Sequence, residues 1–251
     1  MSTKRTALVI GATGGIGGAL AERLQAGGWH VRALNRDPDR ARPGRETLEW
    51  VRGDALVEAD VVAAAMGADI IVHAANPPGY RNWAGLLMPM LNNTISAAKA
   101  SGARILLPGN VYNFGPDAMP TLSETSPQTP MTRKGAIRVE MEKALRAAAD
   151  EGVRSLTVRA GDFFGPKPTG GSWMSQGLVK PGRPLAAVTY PGPLEIAHAW
   201  AYLPDLAQAF VRVAAAPPPP PGTLVCLPFA GHTATGNDWH AVLAEWAQEQ
   251  G

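Results

Sequence analysis

Cysteine is almost absent: Cys226 stands alone. An internal disulfide is excluded, and the thiol, set in the strand-like run TLVCLP, is expected to be buried and inert in a reducing compartment. No stretch reaches 18 uninterrupted apolar residues, so no membrane-spanning helix is expected. The opening MSTKRTALVIGATGGIGGAL puts two cations before an apolar run, but the run is short, breaks into glycines and lacks a cleavage site, so it is not read as a signal peptide. A cytoplasmic protein, without a membrane partner, is the expectation. Basic tracts are missing too, and a net charge of +2 gives no reason to expect nucleic acid as a partner. No set of residues has metal-ligand spacing, and there is no internal repeat.

What is present is an ordinary globular composition, 45% hydrophobic and 18% charged over 251 residues, enough for one large α/β domain. Strand-like runs fall at 6–10, 30–35, 48–53, 69–75, 104–109, 155–160 and 223–228. Helical patterns fall between them, near 15–27, 58–66, 84–101, 132–150, 204–215 and 237–249. Strands separated by helices imply right-handed crossovers and a parallel sheet covered on both faces. Residues 161–200, rich in Gly and Pro and without steady periodicity, read as an irregular lobe beside a cleft. APPPPPG (216–222) reads as a stiff connector or as a polyproline ligand.

ALVIGATGGIGGAL places Gly11, Gly14 and Gly17 directly after the first strand, at the start of a helix. Glycines there permit a tight turn and bring backbone N–H groups up to a phosphate at the positive helix end, with Thr13, Gly15 and Ile16 in the same turn. Strand, glycines, helix and second strand agree on a dinucleotide site, the other reading being a merely structural glycine turn. The second strand ends in Asn35 and Arg36, where a carboxylate would hold a ribose 2′-OH and an arginine suits a 2′-phosphate. NADP(H) is therefore expected in preference to NAD(H). Asp54 and Ala55, just past the third strand, are placed for the adenine edge, although Asp there also reads as an N-cap. Ala74, Ala75 and Asn76 end the fourth strand, where small residues let a dinucleotide pass close to the backbone. His73 is expected to pack rather than react.

PMTRKGAIRVEME (130–142) raises a different question. Pro130 and Thr132 are helix-start signals, yet Arg133, Lys134 and Arg138 crowd the first two turns, where the helix dipole disfavours cations. On a helical wheel Ile137, Met141, Ala144, Leu145 and Ala148 form an apolar stripe with Lys134 near its middle and Arg138 at its edge. A lysine so placed either snorkels to water or faces a cleft.

These features together resemble the extended and atypical short-chain dehydrogenase/reductase superfamily, in its NAD(P)-dependent epimerase/dehydratase-like branch, through nearly the whole chain. GATGGIG matches that family's GxxGxxG, RGD (52–54) the segment before its adenine-contacting Asp, RAGDFFGP (159–166) its RPGNVYGP, and AWAYLPDLAQAF its FVHVDDLARA. The resemblance implies a Rossmann-type doubly wound parallel sheet as a single domain over 1–251, with a small irregular substrate lobe formed mainly by 161–200 and the C-terminal segment. It also implies a serine or threonine after the fifth strand and a YxxxK on the next helix, the tyrosine acting as general acid/base and the lysine lowering its pKa and holding the nicotinamide ribose. Here PGNVYNFG (108–115) puts Asn110 in the serine position, while Lys134 and Arg138 take the tyrosine and lysine positions. An alternative register makes Lys134 the ribose lysine and leaves Pro130 in the tyrosine position. In neither does a tyrosine stand four residues before a lysine.

Arg138 keeps charge and donors for the ribose. Lys134, desolvated beside Arg138, would lose its proton more readily and handle the substrate proton or hold an anion. Asn110 can donate to a substrate oxygen; Tyr112, on the same face by strand alternation, is the other phenol candidate. Tyr80, Arg81, Trp83, Lys167, Trp173, Lys180 and Trp200 are candidate pocket residues, with His198 as a pocket residue rather than a base. Two functions follow: an NADP-dependent oxidoreductase or epimerase/dehydratase-like enzyme acting on a hydroxyl or carbonyl of a small, sugar-like substrate, or a non-catalytic NADP(H)-binding redox sensor or partner-binding protein. A homodimer through the helices near 84–101 and 132–150 is implied by the resemblance only.

Overall fold

The computed structural model of the protein describes residues 4–77, 82–119, 121–166, 172–180, 185 and 187–249. Strands and helices alternate as β1 (Thr6–Ile10), α1 (Gly15–Ala26), β2 (His30–Asn35), α2 (Pro38–Ala41), β3 (Glu49–Arg52), α3 (Glu58–Ala65), β4 (Ile70–His73), α4 (Trp83–Ser101), β5 (Arg104–Gly109), α5 (Arg133–Asp150) and β6 (Ser155–Arg159). There follow β7 (Asp162–Phe164), β8 (His198–Tyr202), α6 (Leu203–Ala215), β9 (Leu224–Pro228), β10 (His232–Ala234) and α7 (Gly236–Glu249). Seven strands form one parallel sheet in the order β3-β2-β1-β4-β5-β6-β9. The winding reverses between β1 and β4, and ligands of such sheets bind outside the carboxyl ends of the strands at that point.

Strand alternation divides the core between the two faces. Ala7, Val9, Val31, Ile70 and Leu156 pack with Leu20 and Leu24 of α1 and Phe210 of α6. Leu8, Ile10, Ile71, Ile105 and Leu107 turn the other way, onto Val61, Leu87, Leu91, Met141 and Leu145 of α3, α4 and α5. Burying a side chain such as Leu8 or Leu91 contributes about 1.5–3 kcal/mol, and each of these is fully enclosed.

The structure adds two features. Pro38 opens a single turn whose N-cap Asp37 accepts from Arg40 N. The stretch read as an irregular lobe contributes β7 and β8 to a second sheet, β10-β8-β7, in which β8 pairs parallel to β7 and antiparallel to β10. β7 and β10 are three residues long, too short to show a period, and the sheet brings Asp162 to His198 across 36 residues of chain. The proline run connects α6 to β9, with Pro219 O accepting from Arg154 Nε. Cys226 is half-buried rather than buried; desolvation, with Glu142 nearby, still raises its thiol pKa, which keeps it protonated. Among the described residues no helix is long and apolar enough to cross a membrane. Tyr80, Arg81 and Lys167 lie outside the described residues.

Candidate active site

The glycine turn is shaped by close approach. Gly11 has φ +94°, and a Cβ there would lie 2.5 Å from Ala74 O and 2.8 Å from Ala75 N. A Cβ on Gly17 would meet Gly11 O, so β1, α1 and the end of β4 pack backbone to backbone. Gly14 caps α1 without a side-chain bond, its N–H donating to Gly11 O at 3.0 Å, and the first turn of α1 carries no acid. Thr13 and Gly14 are exposed, Gly15 and Ile16 half-buried. A bare, positively polarised helix end beside Ala74 and Ala75 fits the pyrophosphate of a dinucleotide.

Beside it, Asn35 Oδ1 accepts from Asp37 N at 2.8 Å, and Arg36 is exposed with its carbonyl held by Arg52 Nη1 at 3.0 Å. Asp54 Oδ1 accepts from Leu56 N at 3.0 Å, which makes a local turn rather than the N-cap of α3. Ala55 O is fixed from α4 by Asn93 Nδ2 at 2.9 Å. Asn76 Oδ1 takes the indole N–H of Trp83 at 2.6 Å, tying the end of β4 to the start of α4.

α5 begins at Arg133 with Thr132 as N-cap, its hydroxyl accepting from Gly135 N at 3.0 Å. The crowded cations now have an explanation. Met141, Leu145 and Ala148 of the apolar stripe are buried, but Lys134, on the same stripe, is exposed. Arg138 Nη1 reaches Pro108 O at 3.4 Å, level with the end of β5, so Lys134 stands one turn beyond the sheet. The stripe leaves the core at the carboxyl edge, and the desolvation expected of Lys134 is not found. Arg138 is half-buried over the Trp83 ring, 5.3 Å from its centroid. Below it His73 is 2% exposed; its Nδ1 and Thr94 Oγ1 are 2.8 Å apart, and Thr94 donates to Met90 O, so Nδ1 carries the proton. Burial, with the charge of Arg138, lowers the His73 pKa to about 3. It is a packed, neutral histidine.

The Asn110 turn is held by a buried polar chain. Arg159 donates through Nη1 to Asn110 O at 2.5 Å and through Nη2 to Glu142 Oε1 at 2.7 Å, its guanidinium 4.8 Å over the Phe114 ring. Glu142 Oε2 accepts from Gln128 Nε2 at 2.7 Å, and Gln128 Oε1 from Asn113 Nδ2 at 2.9 Å. Asn110 Oδ1 accepts from Tyr112 N at 3.0 Å, so its amide NH₂ is the donor available to a ligand. β5 has ended at Gly109, so turn geometry rather than strand alternation sets the direction of Tyr112. Gly135 presses on this turn: a Cβ there would meet Tyr112 O. Arg159, Glu142 and Gly135 were not singled out from the sequence; a glycine in the first turn of a helix was the available signal for the last.

Beyond β6 the chain crosses Gly161, whose Cβ would meet Ala199 O, and enters an aromatic cluster on the small sheet. His198 Nε2 pairs with Asp162 Oδ2 at 2.7 Å. The His198 ring stacks on Trp173 at 4.7 Å and 17° and lies edge-on to Trp200 at 5.2 Å. Tyr190 meets Trp173 at 6.4 Å, and burial with the Asp162 charge raises its pKa. Lys180 is exposed. Among the described residues no group of three or more His, Cys, Asp or Glu could hold a metal ion.

A glycine turn at the switch point of a doubly wound sheet, with polar side chains converging at the carboxyl edge, defines a dinucleotide-binding fold of the Rossmann type. Residues 7–225 match the NAD dependent epimerase/dehydratase family, and the chain belongs to it. It is 27% identical over 197 residues to y4nL, an uncharacterized protein of Sinorhizobium fredii, covering 70% of this chain and 55% of that protein. Over 174 residues it is 30% identical to a 3-diazoavenalumate denitrifying reductase of a Streptomyces species, covering 63% of this chain and 56% of the relative. The chain thus spans little more than half the length of these relatives. Among solved structures, MoeE5 in complex with UDP-glucose and NAD superposes with a TM-score of 0.77 at 20% identity, over 96% of this chain and 81% of MoeE5, a likeness of fold.

Proposed function

We propose that the protein is an NADP(H)-dependent oxidoreductase or epimerase/dehydratase-like enzyme acting on a hydroxyl or carbonyl of a small, sugar-like substrate. The observation that carries this reading is the glycine cradle against Ala74 and Ala75 beside a β2 terminus where Asn35 and the exposed Arg36 stand, with Asp37 one residue further on capping α2. The bound nicotinamide would supply or accept the hydride. Gly11, Thr13, Gly14, Gly15, Ile16 and Gly17 would cradle the pyrophosphate, Arg36 the 2′-phosphate, Asp54 and Ala55 the adenine side, and Arg138 the nicotinamide ribose near Asn76. The Asn110 amide would hold the substrate oxygen, with Lys134 and Tyr112 beside it and the lobe of 161–200 and the C-terminal segment over it. The nucleotide-sugar complex of MoeE5, with a similar fold, supports a sugar-like substrate. Pairing of two copies through α4 and α5 belongs to the same reading.

Titration with NADPH and NADH, following nicotinamide fluorescence, tests it. A charge-assisted bond from Arg36 to the 2′-phosphate contributes about 1.5–3 kcal/mol, so NADPH should bind roughly 10–100-fold more tightly than NADH, and Arg36→Glu should abolish the difference. Equal affinities in the wild type would refute the cofactor preference. The presence of Lys134 where the family resemblance has tyrosine favours a second reading, a redox sensor that binds NADP(H) without turning it over. Hydride exchange with any alcohol or ketone would eliminate it.

A further inference from the structure

We infer that His198, oriented by Asp162 and braced by Trp173, is the proton-transfer residue of this site, in place of the absent tyrosine. The inference rests on the enzyme reading above.

Three observations converge on it. The position is right: Arg159 ends β6 with a bond to Asn110 O, Asp162 follows three residues later, and Ala199 O lies against Gly161. Asp162, and His198 paired with it, therefore follow the carboxyl end of β6, on the side of the sheet where ligands of this fold bind. The chemistry is right: a carboxylate on one ring nitrogen fixes the imidazole and leaves the other to exchange a proton, the arrangement by which a third group orients a general base. Asp162 holds Nε2 at 2.7 Å, Trp173 covers one ring face and Trp200 meets it edge-on; among the described residues Nδ1 has no partner, and the side chain keeps 28% of its surface in solvent. The sequence departs from its family resemblance at this place, with Asp162 in RAGDFFGP where that pattern, RPGNVYGP, has asparagine. An asparagine has no charge with which to serve a protonated ring. The alternatives are weaker: Lys134 is exposed and lies a turn beyond the sheet, and His73 is sealed in the core.

In the reducing direction a bound reduced nicotinamide would supply hydride to the carbonyl carbon, whose π pair would move to oxygen. That oxygen takes the proton from protonated His198 Nδ1, leaving a neutral imidazole still donating Nε2–H to Asp162. Water returns the proton. In the oxidising direction neutral Nδ1 accepts the hydroxyl proton.

The test follows deuteride transfer from [4-²H]NADPH to D-glyceraldehyde, p-nitrobenzaldehyde and 9,10-phenanthrenequinone. For the carbonyl that the wild type reduces, His198→Ala should lower kcat by about 10²–10⁴-fold with KM little changed, and free imidazole should restore part of it. NADPH affinity and melting temperature report whether the variant is folded. A readout independent of turnover comes from ¹⁵N-histidine NMR: a downfield Nε2–H proton should be present in the wild type and lost in Asp162→Asn. If His198→Ala turns over within about threefold of the wild type, or a folded variant is not rescued by imidazole, the assignment to His198 is overturned alone. If the wild type binds NADPH but reduces none of the carbonyls, the enzyme reading falls and this inference with it.

Discussion

Replacing Arg159 by methionine strands a buried charge. Arg159 and Glu142 keep only 9% and 7% of their side-chain surface in solvent. The substitution removes the bonds to Glu142 Oε1 and Asn110 O and leaves Glu142 with Gln128 as its remaining donor. Breaking one side of a buried pair costs about 3–5 kcal/mol, because the surviving charge stays desolvated and uncompensated. For a chain of this size that lowers the melting temperature by roughly 6–20 °C. Glu142→Leu should cost a similar amount by stranding the guanidinium. The double variant Arg159→Met/Glu142→Leu leaves no uncompensated buried charge, only the neutral Asn110 O and Gln128 Nε2 without these partners, so it should return to within about 1–2 kcal/mol of the wild type. Urea unfolding of all four proteins, compared by midpoint at constant slope, measures the cycle. Additive losses in the double variant, or single losses below about 1 kcal/mol, would refute the reasoning. The double variant should nonetheless be a poorer binder of substrate, since the carbonyl of Asn110 has lost its anchor.

Gly17→Ala should lower stability by about 1–3 kcal/mol, because its methyl would meet Gly11 O and something must shift; cofactor affinity should fall with it, and a calorimetric titration showing wild-type affinity would contradict the cradle. His73 gives a pH effect of fixed sign. Its ring protonates near 6.5 when exposed and near 3 in the folded protein, held down by burial and by Arg138. Between those values the unfolded chain binds more protons, so the contribution is complete above pH 6.5 and declines as pH falls toward 3, by at most about 1.4 kcal/mol per pH unit. Urea midpoints of His73→Gln should be flatter over that window than those of the wild type; parallel curves would show that His73 does not titrate in this way.

Periodicity and turn chemistry carried the main sheet and the cofactor turn. Each strand from β1 to β6, and β9, is a local apolar run, and Gly11, Gly14 and Gly17 mark a turn whose strain is local, so nearest-neighbour physics is enough to find them. Thr132 was legible as an N-cap for the same reason: its partner, Gly135 N, is three residues away. The charge of Lys134 was legible, but its environment was not, since only the depth of α5 against β5 decides whether a stripe position lies in the core or past its edge. The bonds that shape the candidate site join residues distant in sequence: Arg159 to Glu142 and Asn110, His198 to Asp162, Arg138 to Trp83. No periodicity encodes such pairs. They exist because the order β4-β5-β6 lays three carboxyl ends side by side and because Gly161 lets β8 close over the end of β6. Spacing along the chain is enough to give a dinucleotide-binding fold and to show that no tyrosine stands four residues before a lysine. Which side chains meet at the carboxyl edge is set by the fold, because contact across the sheet edge depends on strand order and not on spacing along the chain.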